Sequence, residues 1–116
     1  MIVCVVDDLL FSIKMSTAAK HLGVEMYFER SKDKVLQTIR EKQPSLVIFD
    51  LNSGKLAPIE MIAALKTEPS LSSIRTLGYV SHVDSDTIDR ARSAGIDQVL
   101  ARSAFSEKLG EILTSA

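Results

Sequence analysis

Five short apolar runs alternate along the chain with stretches in which apolar residues return every three or four positions. Ile2-Val3-Cys4-Val5-Val6 is mostly β-branched and carries no polar alternation, the pattern of a strand covered on both faces, so it predicts a central parallel strand. Phe11, Met15, Ala18 and Leu22 follow at spacings of 4, 3 and 4, a helical stripe with Gly23 at its stop. Val24 to Phe28 predicts a second strand, and Ser31 opens a helix through Val35, Leu36 and Ile39. That helix ends before Pro44, because proline disfavours helix in the residue preceding it. Leu46-Val47-Ile48-Phe49 is the third apolar run and stops at Asp50. After a loop over Leu51 to Ala57, Pro58 stands in the first turn of a helix that carries Ile59, Ile62 and Leu65 and closes at Glu68-Pro69-Ser70. Ile74 to Val80 predicts a fourth strand, and Asp84 or Ser85 caps a helix through Ile88 and Ala91 to Gly95. Val99-Leu100 is a short fifth strand, with Phe105, Leu109 and Ile112 as the last helical stripe.

Strand and helix alternating five times without repeat or linker predict an α/β fold: one doubly wound sheet of five parallel strands, (βα)5, forming a single domain over residues 1–116. Composition permits this. At 12.7 kDa, area scaling gives roughly 6,200 Å² exposed when folded against about 18,000 Å² unfolded, enough burial for a core without covalent staples. A hydrophobic fraction of 46% with a net charge of −1 excludes disorder, and 5 Gly and 3 Pro exclude collagen-like or low-complexity chains. Near-neutrality argues against a nucleic-acid partner. Cys4 alone supports neither a disulfide framework nor a cysteine zinc site and fits a cytoplasmic setting. Ile2 to Val6 is too short for a signal or membrane segment, so no membrane role is expected.

Ligand sites in such folds lie at the carboxyl ends of the strands. Asp7 and Asp8 follow strand one, Asp50 strand three, Ser81 and His82 strand four, and Arg102 strand five. Three carboxylates brought together raise the proton affinity of at least one of them unless a cation intervenes. Magnesium, which takes oxygen ligands and shares its shell with phosphate, is the natural counter-ion. With Asp50 as acceptor, Ser81 as hydroxyl donor and Arg102 as cation, the set reads as a phosphoryl-transfer constellation. Taken singly, each has an ordinary explanation; Asp8, for instance, is placed to cap the first helix. Leu9, Leu10 and Ile13 project away from the Phe11-Met15-Leu22 stripe and form an apolar patch beside the acidic residues, the best hint of a partner surface. His21, near a helix end, reads as a dipole partner, Arg90 and Arg92 as a solvated face, and Cys4 as core.

These residues resemble the receiver domains of two-component response regulators. Val5-Val6-Asp7-Asp8 is similar to the family's opening acidic pair, and Leu46-Val47-Ile48-Phe49-Asp50-Leu51 to the strand ending in the phospho-acceptor. Leu65-Lys66-Thr67-Glu68-Pro69 through Ile74 is similar to the third helix and the lead-in to strand four, and Ala94-Gly95-Ile96-Asp97-Gln98-Val99-Leu100 to the approach to strand five. The resemblance runs the full length and implies the flavodoxin-like receiver fold. It implies that Asp50 accepts phosphate from a histidine kinase or phosphotransfer protein, and that Asp8 chiefly, with Asp7, Asp50 and the backbone carbonyl of Asn52, holds Mg2+. It further implies that Ser81 is the switch hydroxyl, that Leu9, Leu10 and Ile13 lie where the kinase docks, and that helix four, strand five and helix five form the output or homodimer face.

The chain departs from the family pattern at several positions. Val99 replaces the switch aromatic and offers no large two-position rotor. Arg102 replaces the lysine, and a planar guanidinium does not substitute for a compact ammonium. Ser103 replaces a cis proline and is expected to follow a trans bond, with a remodelled loop before helix five. Gly54, Pro58 and His82 alter the rim. Two readings follow: a phospho-receiver, or a receiver-like interaction module in which Arg102 pairs directly with Asp50 and phosphorylation is lost. A third, a magnesium-dependent phosphatase, lacks the second carboxylate it needs after the acceptor, where Asn52 stands.

Overall fold

The computed structural model describes residues 1–81 and 84–116, so His82 lies outside the described residues. Five parallel strands form one sheet in the order β2-β1-β3-β4-β5. They are β1 (Ile2–Val5), β2 (Met26–Phe28), β3 (Leu46–Asp50), β4 (Arg75–Val80) and β5 (Gln98–Ala101). Six α-helices connect and flank them: α1 (Leu9–Leu22), α2 (Val35–Lys42), α3 (Pro58–Thr67), α4 (Ser85–Ala94), α5 (Arg102–Glu107) and α6 (Leu109–Thr114). This is the doubly wound parallel architecture expected from the alternation. The accessible surface, 6032 Å², matches the area predicted from mass.

Successive residues of a strand face opposite sides of the sheet, which is why the central strands are apolar throughout. Val3, Val5, Val47 and Phe49 point into one layer with Val35 and Ile39 of α2, Ile62 and Leu65 of α3 and Ala91 of α4. Ile2, Cys4, Leu46, Ile48 and Tyr79 point into the other with Phe11 and Met15 of α1 and Phe105, Leu109 and Ile112 of α5 and α6. Burial holds the Cys4 thiol well above its ordinary pKa, so it is a neutral core side chain.

Element boundaries differ from the sequence reading where tertiary partners decide them. The helix expected from Ser31 begins instead with a 3-10 turn, Lys32–Lys34, before α2, and Ser31 supplies no side-chain cap. Its own N–H donates to Glu29 Oε2 at 3.2 Å while Thr38 Oγ1 donates to Glu29 Oε1 at 2.5 Å. The buried Glu29 carboxylate thus organises the connection in place of a serine cap. The second strand is shorter than expected, because Val24 is drawn into the end of α1 by its bond to the Ala19 carbonyl. The fifth is longer, paired from Leu77–Gln98 to Val80–Ala101. The last helical stripe is divided into α5 and α6 at Lys108 (φ −95, ψ 8).

One polar network ties the far edge of the sheet to α3. Asp97 Oδ2 accepts from Lys66 Nζ (2.9 Å), Thr76 N (2.8 Å) and Thr76 Oγ1 (2.9 Å). Burial alone would raise the Asp97 carboxyl, but these donors outweigh it and hold the group below its usual range.

Candidate functional site

The carboxyl ends of β1, β3, β4 and β5 converge on one edge because the strands are parallel and in register; Asp50 lies opposite Tyr79, and Tyr79 opposite Leu100. Asp8 follows β1 and is the N-cap of α1, its Oδ1 accepting the Phe11 N–H at 3.0 Å. The other oxygen, Oδ2, accepts from Arg102 Nη2 at 3.0 Å. The Arg102 guanidinium also lies over the Phe11 ring, 4.2 Å from its centroid, a cation–π geometry. Asp8 therefore has both the ordinary capping role and a charged partner. The Phe11 N–H, opposed by partial burial and helped by Arg102, holds its carboxyl below the usual range.

Asp50 has a different environment. Its Oδ1 accepts the Asn52 N–H at 3.0 Å, and among the described residues no side chain donates to either of its oxygens. Burial, reinforced by the charges of Asp8 and Asp7 and opposed by the Asn52 N–H and by Arg102, pushes its carboxyl above the ordinary value. One member of the acidic set thus has raised proton affinity, but burial is its chief cause and the neighbouring carboxylates contribute least. The ion pair anticipated between Arg102 and Asp50 forms with Asp8 instead. Arg102 is the first residue of α5, directly after β5, and its guanidinium carbon stands over the ring of Phe11, whose N–H donates to Asp8 in the first turn of α1. No loop separates β5 from α5, and every described peptide bond is trans, Arg102–Ser103 included.

The remaining residues complete the edge. Asp7 is half-buried, with Lys55 Nζ 3.7 Å from its Oδ1. Ser81 is exposed, and its N–H donates to Asn52 Oδ1 at 2.6 Å. Asn52 therefore joins the ends of β3 and β4 through its side chain, a role that sequence spacing did not signal. Leu9, Leu10 and Ile13 are solvent-exposed at 65%, 80% and 56%, so among the described residues no loop covers that patch.

Beneath the edge sits an aromatic trio. Tyr79 stacks on Phe105 at 5.0 Å, Phe11 meets Tyr79 edge-on at 5.1 Å, and Phe11 and Phe105 are 5.9 Å apart. The Tyr79 hydroxyl is buried without a partner among the described residues. Burial, with the Asp50 charge nearby, raises its pKa.

As arranged, these groups do not fit a divalent cation. Both Asp8 oxygens are engaged, Asp7 is next to an ammonium, and among the described residues no three Asp, Glu, His or Cys side chains are grouped to hold a metal ion.

No family model matches the chain. It is 28% identical over 109 residues to a probable chemotaxis protein CheY of Rhizobium etli, an alignment covering 92% of this chain and 84% of that protein. The fold superposes on a putative response regulator from Chloroflexus aurantiacus with a TM-score of 0.85 at 18% identity, covering 98% and 93% of the two chains. It superposes on the Mn(2+)-bound form of response regulator Rcp1 with a TM-score of 0.78 at 18% identity, covering 96% and 89%. The chain thus has the fold of response-regulator receivers and a sequence likeness to a chemotaxis protein of that kind. Among the described residues of this receiver-like fold, no helix is long and apolar enough to cross a membrane.

The raised Asp50 carboxyl has a stability consequence. The folded chain binds this proton more tightly than the unfolded one, so the associated stability is present below the unfolded pKa and is lost as pH rises through the folded value. Asp50→Asn, which never ionises, is therefore expected to raise the thermal midpoint at pH 7, by less than about 5 °C, and to leave it unchanged near pH 3. Thermal melts of both proteins across that pH range check this; an equal or lower midpoint for the variant at pH 7 contradicts it.

Proposed function

We propose that this receiver domain accepts a phosphoryl group on Asp50 from a phosphohistidine of a histidine kinase or phosphotransfer protein and signals in the cytoplasm through partner binding rather than as an enzyme. In the transfer, an Asp50 oxygen attacks phosphorus, the N–P bond breaks, and an aspartyl phosphate forms as the imidazole leaves. The observation that carries this reading is the state of Asp50. It ends β3 with Oδ2 free of any described donor, while the strongest nearby cation is engaged by Asp8. The exposed Leu9-Leu10-Ile13 patch beside it suits docking of an amphipathic donor helix. Ser81, at the end of β4, is the hydroxyl nearest in the chain order of the site to bond the new phosphoryl oxygen, and α4, β5 and α5 form the output face, including for a homodimer.

Beryllofluoride in the presence of Mg2+ tests this reading. Amide shifts at Asp50, Asn52 and Ser81 are expected in the parent protein and absent in Asp50→Asn. A folded protein that shows no such change supports the second reading, an unphosphorylated interaction module, although the Arg102–Asp50 pair on which that reading rested is replaced by an Arg102–Asp8 pair.

A further inference from the structure

We propose that Arg102 is the resident cation of the acidic edge, and that a divalent metal ion binds there only by displacing it from Asp8. The three carboxylates Asp7, Asp8 and Asp50 meet two built-in cations, Lys55 beside Asp7 and Arg102 on Asp8. The electrostatic demand for an external ion is reduced accordingly.

The Arg102 contact is held from two sides. Its Nη2 donates to Asp8 Oδ2, and its guanidinium carbon stands over the ring of Phe11, the residue whose N–H fixes Asp8 Oδ1. Asp8, Phe11 and Arg102 thus form a closed clamp in which each member orients the other two. A metal ion taking an Asp8 oxygen must break the Arg102 bond, and the displaced guanidinium remains over Phe11 as a nearby like charge. A lysine at this position would behave differently, because a compact ammonium on a flexible stem withdraws into water and does not stack as well. The pair is partly exposed, with side chains about one-third accessible (36% and 35%), so displacement is possible and the clamp sets affinity rather than forbidding binding. The inference concerns metal affinity alone and stands whether or not Asp50 is phosphorylated.

Mn2+ is the probe. Its free aqueous signal in electron paramagnetic resonance, titrated with protein, gives a dissociation constant for the parent, Arg102→Met, Arg102→Lys and Asp8→Asn. Arg102→Met is expected to bind Mn2+ about tenfold more tightly than the parent, equivalent to 1.4 kcal/mol. Arg102→Lys should fall between them, and Asp8→Asn should lose binding. In the parent, titration with Mg2+ should shift the Arg102 side-chain Nε–H resonance in step with the Asp8 and Phe11 amides. Equal or weaker Mn2+ binding by Arg102→Met overturns the proposal. So does metal saturation of the parent with the Arg102 resonance unmoved, a result that does not depend on any variant folding.

Discussion

Phe105→Ala is expected to lower the unfolding free energy by about 3–5 kcal/mol, the range for removing a large aromatic side chain from a core. Phe105 is 0% exposed and is in contact with Tyr79 and Phe11, so the vacated space has aromatic walls that relax only partly. Against a total of roughly 5–15 kcal/mol for a domain, this is a large fraction. The effect also reaches the functional edge, because Phe11 is both a wall of that space and the surface on which Arg102 lies. Urea denaturation checks the stability, and the Arg102 side-chain resonance checks the edge. A loss below about 1 kcal/mol would show that the trio is not the packed support described here.

Much of this arrangement was legible in the sequence because it is encoded locally. The runs at β1 and β3 are apolar at every position, since both sheet faces are covered, and the Phe11-Met15 stripe needs only a helical period. The cap of α4 was readable as Asp84 or Ser85, and it is the Asp84 side chain that accepts from Asp86 N and Thr87 N. Parallel order then placed Asp7, Asp8, Asp50, Ser81 and Arg102 at one edge before any distance was known. What was not legible depends on contacts between distant residues. Arg102 and Asp8 are 94 positions apart, and neither spacing nor residue type says which of two carboxylates a guanidinium will choose. Phe11 decides it, by offering a ring to the guanidinium and an N–H to Asp8. The Glu29 anchor of the β2–α2 connection and the Asn52 bridge to Ser81 were hidden for the same reason: each is a single polar side chain whose partner is set by tertiary structure.

Two carboxylates a few residues from strand ends thus acquire opposite properties. Asp8, with a backbone donor and a cation, is held ionised, whereas Asp50, more buried and supplied with one backbone donor, has the higher proton affinity. The division resembles that between a fixed structural charge and a reactive group, and it arises from environment alone. The guanidinium that could have paired with Asp50 is diverted to Asp8, which leaves Asp50 without a side-chain donor among the described residues.

Gly78→Ala is the second substitution expected to act strongly, with a cost of about 1–3 kcal/mol from overpacking. Gly78 is the β4 residue opposite Phe49 and Val99. A Cβ there would stand 2.7 Å from Leu51 Cγ and Cδ1 and 2.8 Å from Ile96 Cδ1, closer than carbon atoms tolerate. Both neighbours are buried, so neither side chain can swing into solvent. Leu51 is also the residue after Asp50, and its N–H is bonded to the Tyr79 carbonyl at 3.0 Å. Movement of its side chain therefore strains the backbone that aims the Asp50 carboxylate, and a weakened beryllofluoride response is expected along with the lower stability. Leu51→Ala in the same chain should relieve the clash. The double variant is then expected to be less destabilised than the sum of the single ones by about 0.5–3 kcal/mol, the coupling typical of residues in contact. Additive losses in urea denaturation would show that Leu51 is not what limits the space above Gly78, and would remove the link between this glycine and the loop after Asp50.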